Sequence, residues 1–340
     1  MPRLLKFIFC GLCFLQSVSV VLAEGEAGII SLRGQGHYYV GIDSSEPGEN
    51  GSVKIHNQMY VGYQLPAEKQ HPYPLILVHG GGGQATDWFS TPDGRDGWRD
   101  YFVSAGFDVY WVDRPGFGRS PTSHHYGELG NDANSAIITF LARSENWPGN
   151  VMDHSDPTIL ALLASSPPGP YAGNEISARN LAQLLEKTGP AIIITHGAGG
   201  VTGWWAADTS PQNVAGIIAI EASGSNPLSK VRSGLTFDPP LAADFTPMKD
   251  EAMCDIQPAG SVSRLKHLAG KPAFLIASEF GLKAGHECAS RALQQAGVDA
   301  RYIYLPDLGF RGNGHFMMAE TNNGELAKVI IDLADSVIPK

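Results

Sequence analysis

The chain has 340 residues and a formal net charge of -10 at neutral pH, and 43% of its residues are hydrophobic. This length predicts one large domain with a sizeable core rather than several small ones. The acidic balance argues against nucleic acid and anionic lipid as partners, because both are negatively charged.

Residues 1–23 have the organisation of a secretory signal peptide. A short basic start, Met-Pro-Arg-Leu-Leu-Lys, precedes an apolar run that ends at Ala23. A membrane anchor is the alternative, but the run contains Gln16 and two serines and is short for a bilayer span. We therefore expect cleavage after Ala23, a secreted or periplasmic protein without membrane association, and a mature domain over residues 24–340.

Two of the four cysteines lie outside the predicted signal peptide, Cys254 and Cys288. In an oxidising compartment the simplest use of two cysteines is a disulfide, here closing a loop of about 35 residues. The alternative is that one of them is a free, nucleophilic thiol.

Residues 52–63 alternate between apolar and polar side chains and predict an early antiparallel strand pair. Residues 74–83, Pro-Leu-Ile-Leu-Val-His-Gly-Gly-Gly-Gly, predict a buried strand that ends in a glycine run. Backbone amides in such a run can point at one spot because no Cβ blocks the approach, so we expect an oxyanion loop. A flexible turn is the alternative. Residues 107–120 predict the next strand, closed by a proline- and glycine-rich turn at 113–118. A helix ended by Gly106 lies between the two strands and implies a right-handed parallel crossover.

Residues 121–170 are irregular and rich in proline. We expect an insertion, a loop or small cap that lies over the active site; a solvated connector is the alternative. The insertion contains His124, His125 and His154, but these lack tight ligand spacing and carboxylate partners. We therefore expect no metal site and no cofactor.

Residues 174–188 have helical spacing and lead into the central strand of the chain. Residues 191–200, Ala-Ile-Ile-Ile-Thr-His-Gly-Ala-Gly-Gly, predict a buried strand, and the small residues at its end predict a tight turn into a helix. A turn of this kind normally presents a nucleophilic serine in the pattern G-x-S-x-G. Gly197 occupies the position expected for that serine. The neighbouring His196 is a candidate replacement nucleophile or base, with a packing role as the alternative.

Residues 214–224 predict another buried strand, with Glu221 at its carboxyl end, the edge of a parallel sheet where catalytic groups collect. A loop region over residues 238–257, a strand at 272–279, a helix at 288–296 and a strand at 300–305 follow. Glu279, at the next strand end, competes with Glu221 as the acid. His315 lies in a glycine-rich loop before an amphipathic helix at 324–337. The alternatives are a surface acid for Glu221 and a core histidine for His315.

Nucleophile position, acid and histidine follow one another here in the order of the α/β-hydrolases, which have a mostly parallel twisted sheet with helices on both faces. Residues 91–102, 113–120 and 312–318, together with Glu221, resemble the secreted esterase branch typified by esterase 713. The similarity covers about residues 30–337. It implies that His315 is the catalytic histidine and Glu221 the acid.

The same resemblance implies that the backbone amides of Gly81 and Ala198 are the oxyanion donors. Gly197 matches the serine, and this departure removes covalent acyl transfer as the family usually performs it. Members of the branch also carry cysteines at the positions of Gly81 and Gly82, so the oxyanion loop is expected to have a different shape here.

Three hypotheses follow for the function. In the first, a histidine–glutamate pair moves protons while oxyanion donors stabilise charge on the carbonyl oxygen of a small substrate. This fits hydrolysis by activated water, or isomerisation, cyclisation or C–C cleavage without hydrolysis. The second is a catalytically silent pseudo-hydrolase that binds a ligand or partner. The third is an ordinary esterase in which Gly197 is an engineered or erroneous replacement of serine.

Overall fold

An eight-stranded sheet is the centre of the computed structural model, which describes residues 28–45, 47–128, 141, 143–229, 233–260 and 262–338. The predicted signal peptide and part of the predicted insertion lie outside the described residues. In chain order the strands are β1 (Leu32–Val40), β2 (Met59–Pro66), β3 (Leu75–Val78), β4 (Val109–Asp113), β5 (Ala191–His196), β6 (Val214–Ile220), β7 (Pro272–Ala277) and β8 (Asp299–Tyr304).

The spatial order of the strands is β1-β2-β4-β3-β5-β6-β7-β8. Strand β2 runs antiparallel to both of its neighbours, and all other pairs from β4 to β8 are parallel. Strands β3 and β5 are buried at every position, as their continuous apolar runs predict for a sheet covered on both faces.

Helices cover both faces of the sheet. Their bounds are α1 (Trp98–Ser104), α2 (Pro157–Ala164), α3 (Asn174–Thr188), α4 (Gly199–Thr209), α5 (Lys283–Gln295) and α6 (Asn323–Ser336). Side chains of α1, α2 and α6 join one core cluster, and those of α3, α4 and α5 join the cluster on the opposite face. This three-layer arrangement confirms the predicted α/β-hydrolase fold class. None of the described helices is long and apolar enough to cross a membrane.

Short elements complete the described chain. Three two-residue strand pairs join Asp43–Ser44 to Ile55–His56, Phe237–Asp238 to Arg264–Leu265, and Met248–Lys249 to Asp255–Ile256. Single turns of 3-10 helix occur at Ala85–Trp88, His124–Tyr126, Pro211–Asn213, Leu305–Leu308 and Met317–Ala319.

The early strand pair expected over residues 52–63 differs in the structure. Ile55–His56 pairs with Asp43–Ser44, whereas β2 begins at Met59 and pairs with β1. Strand β1 was not predicted, because the segment Leu-Arg-Gly-Gln-Gly-His-Tyr-Tyr-Val has two glycines and lies half-exposed at the sheet edge.

The predicted insertion contains a helix that its prolines concealed. Helix α2 begins with Pro157 at its first position, where a missing N–H is tolerated. The Asp156 side chain accepts a hydrogen bond from the amide of Thr158 at 2.8 Å and so caps the helix.

The predicted disulfide between Cys254 and Cys288 is present, with a Cα–Cα distance of 4.9 Å. Cys288 lies on α5, and Cys254 lies in the loop region between β6 and β7. The bond therefore fastens that loop region to a helix of the main fold.

Candidate active site

The turn between β5 and α4 has the tight geometry that its small residues predict. Gly197 has a φ of +49°, in the left-handed region that glycine adopts most easily. Its amide donates to the carbonyl of Ile220 at 3.2 Å, and its own carbonyl accepts from the amide of Ser223 at 2.9 Å. These bonds join the turn to the end of β6.

The two glycines that begin α4 are required by close packing. A Cβ on Gly199 would lie 2.5 Å from the carbonyl oxygen of His79, and a Cβ on Gly200 would lie 2.4 Å from the carbonyl oxygen of Ser223. Real Cβ atoms do not approach oxygen so closely, so side chains are excluded at both positions. The small residues of this stretch thus have a steric cause besides any catalytic one.

His315 faces the turn. A Cβ built on Gly197 would lie 3.2 Å from Nε2 of His315, and the nearest atom outside that imidazole is the Cα of Gly80 at 3.5 Å. A hydroxyl attached to such a Cβ would be within hydrogen-bonding reach of Nε2. The side chain of His315 is 11% exposed to solvent. The structure thus brings together two of the residues that the sequence predicts for the site.

Glu221 lies behind His315, on the side away from Gly197. Its Oε2 is 3.6 Å from Nδ1 of His315, and its side chain is fully buried. Oε1 accepts hydrogen bonds from the amide and hydroxyl of Ser278 at 2.6 and 2.9 Å, and Oε2 accepts from the amide of Leu282 at 2.5 Å. Three donors hold this carboxylate in a fixed orientation.

Gly281 and His286 complete the surroundings of the acid, and the sequence analysis named neither. A Cβ on Gly281 would lie 2.1 Å from Oε1 of Glu221, so only glycine leaves room for the carboxylate. Nε2 of His286 accepts a hydrogen bond from the amide of Ala222 at 3.0 Å, and Nδ1 donates one to the carbonyl of Leu282. Burial lowers the pKa of His286 below its usual value, which keeps this acceptor neutral.

Glu279, the competing acid of the sequence analysis, lies in a different place. Its Oε2 accepts the amide of Gly312 at 2.9 Å, and its Oε1 pairs with Arg311 at 3.4 Å. This carboxylate therefore holds the loop that leads to His315, whereas Glu221 is the one beside the imidazole.

The loop carrying His315 is also fastened by a buried carboxyl group that the sequence analysis missed. Glu320 accepts hydrogen bonds from the amide of Gly314 at 2.8 Å, from the side chain of Asn313 at 2.5 Å and from the hydroxyl of Ser144 at 2.5 Å. Burial raises the pKa of Glu320, and these donors offset part of that effect. Glu320 follows His315 by five residues, and no local pattern marks it.

The two predicted oxyanion donors lie side by side. A Cβ on Gly81 would lie 3.2 Å from the Cβ of Ala198, and both residues are exposed. Within the described part of the chain, neither amide donates to a protein acceptor. Two free amides at such close range can donate to one substrate oxygen.

Residues at the end of β4 and in the turn that follows it form hydrogen bonds with the glycine loop. Asp113 Oδ1 accepts the amide of Ala85 at 2.8 Å, just after the glycine run. Arg114 donates from Nη2 to the carbonyl of Gly80 at 2.8 Å, and its amide donates to Nε2 of His79 at 3.1 Å. The Asp-Arg-Pro-Gly-Phe-Gly stretch thus has a structural explanation: its first two residues fix the loop.

His196 lies beneath His315, and its side chain is buried. Its Nε2 donates to the backbone carbonyl of His315 at 2.9 Å, and the two ring centroids are 4.6 Å apart. Burial lowers its pKa far below the usual value, and the neighbouring His315 adds to the effect. This geometry favours the packing role over that of a replacement nucleophile.

A cavity of about 290 Å³ begins at Phe316, the residue after His315, and its lining includes none of His315, Glu221, Gly197, Gly81 and Ala198. Helix α2, the turn after the glycine loop and the segment after His315 form its walls, lined by Thr86, Asp87, Ser90, Thr91, Pro92, Gly94, Ala161, Leu162, Ser165, Phe316, Met318 and Ala319. Part of the predicted insertion therefore borders the cavity.

The histidines of the insertion do not assemble into a metal-binding group. The rings of His124 and His125 contact each other, with centroids 4.0 Å apart. Over the described ranges, no three His, Cys, Asp or Glu residues are placed to hold a metal ion.

Comparison with known proteins adds three findings. A family model for the alpha/beta hydrolase fold matches residues 73–255, which include the glycine loop, the turn at Gly197 and Glu221. A probable secreted lipase, phiG, from a fungal species (strain ATCC 74256) is 32% identical over 309 residues, covering 80% of this chain and 84% of the relative. The solved structure of a novel bacterial esterase is similar in fold, with a TM-score of 0.67 at 23% identity, covering 92% of this chain and 99% of the esterase.

Proposed function

The chain belongs to the α/β-hydrolase family, and from this premise we propose that it is a secreted enzyme acting on a small carbonyl or ester compound. In this proposal His315 is the general acid and base, Glu221 orients it, and the amides of Gly81 and Ala198 form the oxyanion hole. Gly197 occupies the nucleophile position, so the enzyme works without a serine.

One observation carries the proposal: the distance of 3.2 Å between Nε2 of His315 and the position of a Cβ on Gly197. Because Gly197 has no side chain, Nε2 faces the position of the reacting carbonyl directly. It can therefore exchange a proton with the substrate or with a water molecule beside it.

Hydrolysis would then run through water. Nε2 of His315 takes one proton from water as the oxygen attacks the carbonyl carbon, and the amides of Gly81 and Ala198 receive the resulting oxyanion. Collapse of this intermediate breaks the bond to the leaving oxygen, which takes the proton back from His315. The negative charge of Glu221 stabilises the imidazolium between the two steps.

The same groups support a reaction without hydrolysis. His315 would remove a proton from the carbon next to the carbonyl, and the oxyanion hole would stabilise the enolate oxygen. Return of the proton to a different atom completes an isomerisation, and attack of the enolate carbon on an electrophilic carbon of the same molecule gives cyclisation. In C–C cleavage His315 would instead take the proton of a β-hydroxyl group. The bond between the α- and β-carbons then breaks to give a carbonyl fragment and an enolate, which the oxyanion hole stabilises until it takes the proton back from His315. The name of the fungal relative, a probable secreted lipase, favours the hydrolytic version.

Secretion is supported by the name of the fungal relative and by the disulfide between Cys254 and Cys288. The substrate would be a small molecule, since the cavity that begins at Phe316, the residue after His315, has a volume of about 290 Å³. That volume lies near the lower end of the range for small-molecule sites, roughly 300 Å³ and above.

A silent binding protein is the second candidate, and the glycine at position 197 favours it. A pocket that keeps its walls but lacks its nucleophile still binds ligands. Turnover by the unmodified protein of any compound that occupies the cavity would rule this candidate out.

The proposal is tested by restoring the hydroxyl. We expect Gly197→Ser to hydrolyse p-nitrophenyl butyrate at least about a hundredfold faster than the parent chain, because a serine nucleophile accounts for far more than that in complete triads. Gly197→Ala is the matched control: it adds the same Cβ in the same left-handed backbone, at a cost of about 1–2 kcal/mol, but no hydroxyl. Equal rates for the two variants would contradict the proposed arrangement.

A further inference from the structure

Arg114 is a buried cation without a carboxylate partner among the described residues. It is 4% exposed, and the neighbouring carboxylate of Asp113 pairs with Arg119 instead, at 2.7 Å. Burial lowers the pKa of Arg114 to about 10, so the guanidinium is still charged at neutral pH. Buried charges are usually paired, because their removal from water is costly. Arg114 therefore depends on neutral groups for its stabilisation.

A ring face and a backbone carbonyl receive this guanidinium. It lies over the ring of Phe117, 4.5 Å from the centroid, within the usual range of cation–π contacts. Its Nη2 donates to the carbonyl oxygen of Gly80 at 2.8 Å. The positive charge is thus directed at a peptide unit of the glycine loop.

His79 donates to the same carbonyl. Its Nδ1 is 2.8 Å from the oxygen of Gly80, and its Nε2 is 3.1 Å from the amide nitrogen of Arg114. A carbonyl can only accept and an amide can only donate, so His79 has its proton on Nδ1 and none on Nε2. Burial lowers the pKa of His79 well below its usual value, and the charge of Arg114 adds to this effect. Arg114 is therefore the cation of this group.

The bonded carbonyl and the predicted oxyanion donor belong to one peptide unit. The peptide bond from Gly80 to Gly81 is trans, so the N–H of Gly81 points away from the oxygen that Arg114 and His79 hold. Hydrogen bonds to a carbonyl oxygen withdraw electron density from the peptide, which makes its N–H a stronger donor. A charged donor does this more than a neutral one.

We propose that Arg114 is a positioning residue, which orients and strengthens the Gly81 donor of the oxyanion hole through the carbonyl of Gly80. This role rests on the proposed function, because Gly81 has to receive the oxyanion. The charge of Arg114 lies behind that peptide unit, so it attracts the substrate oxygen strongly once the oxygen is negative and weakly while the substrate carbonyl is neutral. Arg114 should therefore affect kcat more than KM.

Kinetics in the Gly197→Ser background test this role. Arg114→Met keeps an unbranched side chain over Phe117 and removes the charge, while His79 still holds the carbonyl of Gly80, so we expect the variant to fold. With p-nitrophenyl butyrate, kcat should fall at least about tenfold and KM should change less than about twofold, because outright loss of an oxyanion donor costs roughly a hundredfold or more. Arg114→Lys, which keeps a charge, should recover most of the loss. If the methionine variant does not fold, Arg114→Gln replaces it with the same expectation.

Arg99→Met is the matched control. The guanidinium of Arg99 lies over the ring of Phe89 at the same distance of 4.5 Å, but it donates to Asp100. Its loss removes an arginine stacked on a phenylalanine and should leave both kcat and KM unchanged. Near-ultraviolet circular dichroism checks that each variant is folded.

An NMR measurement that keeps Gly197 separates this role from the proposed function. Glycine labelled with ¹³C at the carbonyl and with ¹⁵N gives directly bonded label pairs at Gly-Gly peptides alone, which in this chain are Gly80–Gly81, Gly81–Gly82, Gly82–Gly83 and Gly199–Gly200. Arg114→Met should move the carbonyl ¹³C signal of Gly80 upfield, because a hydrogen bond to its oxygen is lost, and leave that of Gly199 in place. Arg99→Met should move neither.

Several results would overturn the role of Arg114. They are a Gly80 signal that stays in place in Arg114→Met, equal kcat for the methionine and lysine variants, or the same kinetic change in Arg114→Met and Arg99→Met. A shifted signal with unchanged kcat would also overturn it, since the contact would then have no effect on the reaction. If Gly197→Ser itself is inactive, the proposed function fails, and the Gly80 signal alone decides whether Arg114 polarises the peptide of Gly81.

Discussion

Two features position the carboxylate of Glu221: the space left by a glycine and a set of hydrogen-bond donors. Gly281 provides the space that Oε1 occupies, since a Cβ there would lie 2.1 Å away. Both Oε1 and Oε2 also accept hydrogen bonds from the backbone of Ser278 and Leu282. The position of the acid beside His315 therefore depends on contacts between residues far apart in the sequence.

Gly281→Ala should displace this carboxylate. We expect a loss of about 1–3 kcal/mol in the free energy of unfolding, the usual cost of overpacking a buried site, measured by urea denaturation. In the Gly197→Ser background, ester hydrolysis should fall about tenfold or more, because a displaced acid no longer orients His315.

Gly285→Ala is the control for that variant. Gly285 lies four residues further along, in the first turn of α5, and a Cβ there meets no atom within 4 Å. Because alanine favours the helix, this change should raise the free energy of unfolding by about 0.5–1 kcal/mol and leave ester hydrolysis unchanged. Similar effects of the two substitutions would show that Gly281 has no special relation to the acid.

At the scale of single elements, helix α5 connects the acid to the disulfide. His286 accepts the amide of Ala222, the residue after Glu221, and Cys288 lies two residues further along the same helix. The loop region between β6 and β7 is thus fastened to the helix that supports the acid. Its two short strand pairs form few backbone hydrogen bonds, so the covalent link constrains a weakly paired segment.

Removing the disulfide by the double substitution Cys254→Ser and Cys288→Ser should lower the free energy of unfolding by about 3–4 kcal/mol, as expected for a loop of roughly this length. Urea denaturation under non-reducing conditions measures the loss. Adding a reductant to the parent chain should reproduce it, and the reductant should have no effect on the double variant. A double variant as stable as the oxidised parent would contradict this prediction.

The elements that the sequence predicted well are those with strong local patterns. Helix α3 follows the predicted bounds of 174–188, and β5 coincides with its run of β-branched residues. Strand β1 was missed because its glycines and exposed alternate side chains weaken the pattern, and its pairing with β2 becomes evident only in three dimensions. Helix α2 was missed because the prolines of residues 121–170 make the stretch irregular, although Pro157 is well suited to a first helical position.

The candidate site shows the same division. Gly197, Glu221 and His315 follow from the order of motifs along the chain. Glu320, His286 and Arg114 do not, because each acts on a segment that other elements bring near. A buried carboxyl group that holds a loop, or one that rests against a glycine, has no signature in a single sequence.

Over the whole molecule, buried histidines make stability depend on pH. Burial lowers the pKa values of His79, His196 and His286, so the folded chain protonates each of them at a lower pH than the unfolded chain does. In the unfolded chain they take up protons near their ordinary pKa of about 6.5. The unfolded state therefore binds more protons below that pH, and each histidine lowers the free energy of unfolding by up to about 1.4 kcal/mol per pH unit.

Asp87 acts in the opposite direction. Because its folded pKa is raised to about 7, the cost of burying its charge is present in full above that pH and is relieved as the pH falls towards the ordinary pKa of an aspartate. Asp87→Asn removes this relief. We expect its free energy of unfolding to fall more steeply than that of the parent between pH 7 and pH 4.5, measured by urea denaturation in a pH series. Parallel curves for the two chains would contradict the assigned direction.

The account depends on the convergence of His315, Glu221 and the amides of Gly81 and Ala198 above position 197. Covalent capture of a fluorophosphonate by the Gly197→Ser variant, followed by intact mass and peptide mapping, measures this convergence most directly. His315 should take the proton of the introduced hydroxyl, the two amides should receive the phosphonyl oxygen, and fluoride should leave, giving one phosphonyl group per chain at residue 197. Adding His315→Ala should reduce capture to background. A folded Gly197→Ser variant that forms no adduct, or that forms it equally fast without His315, would contradict the account.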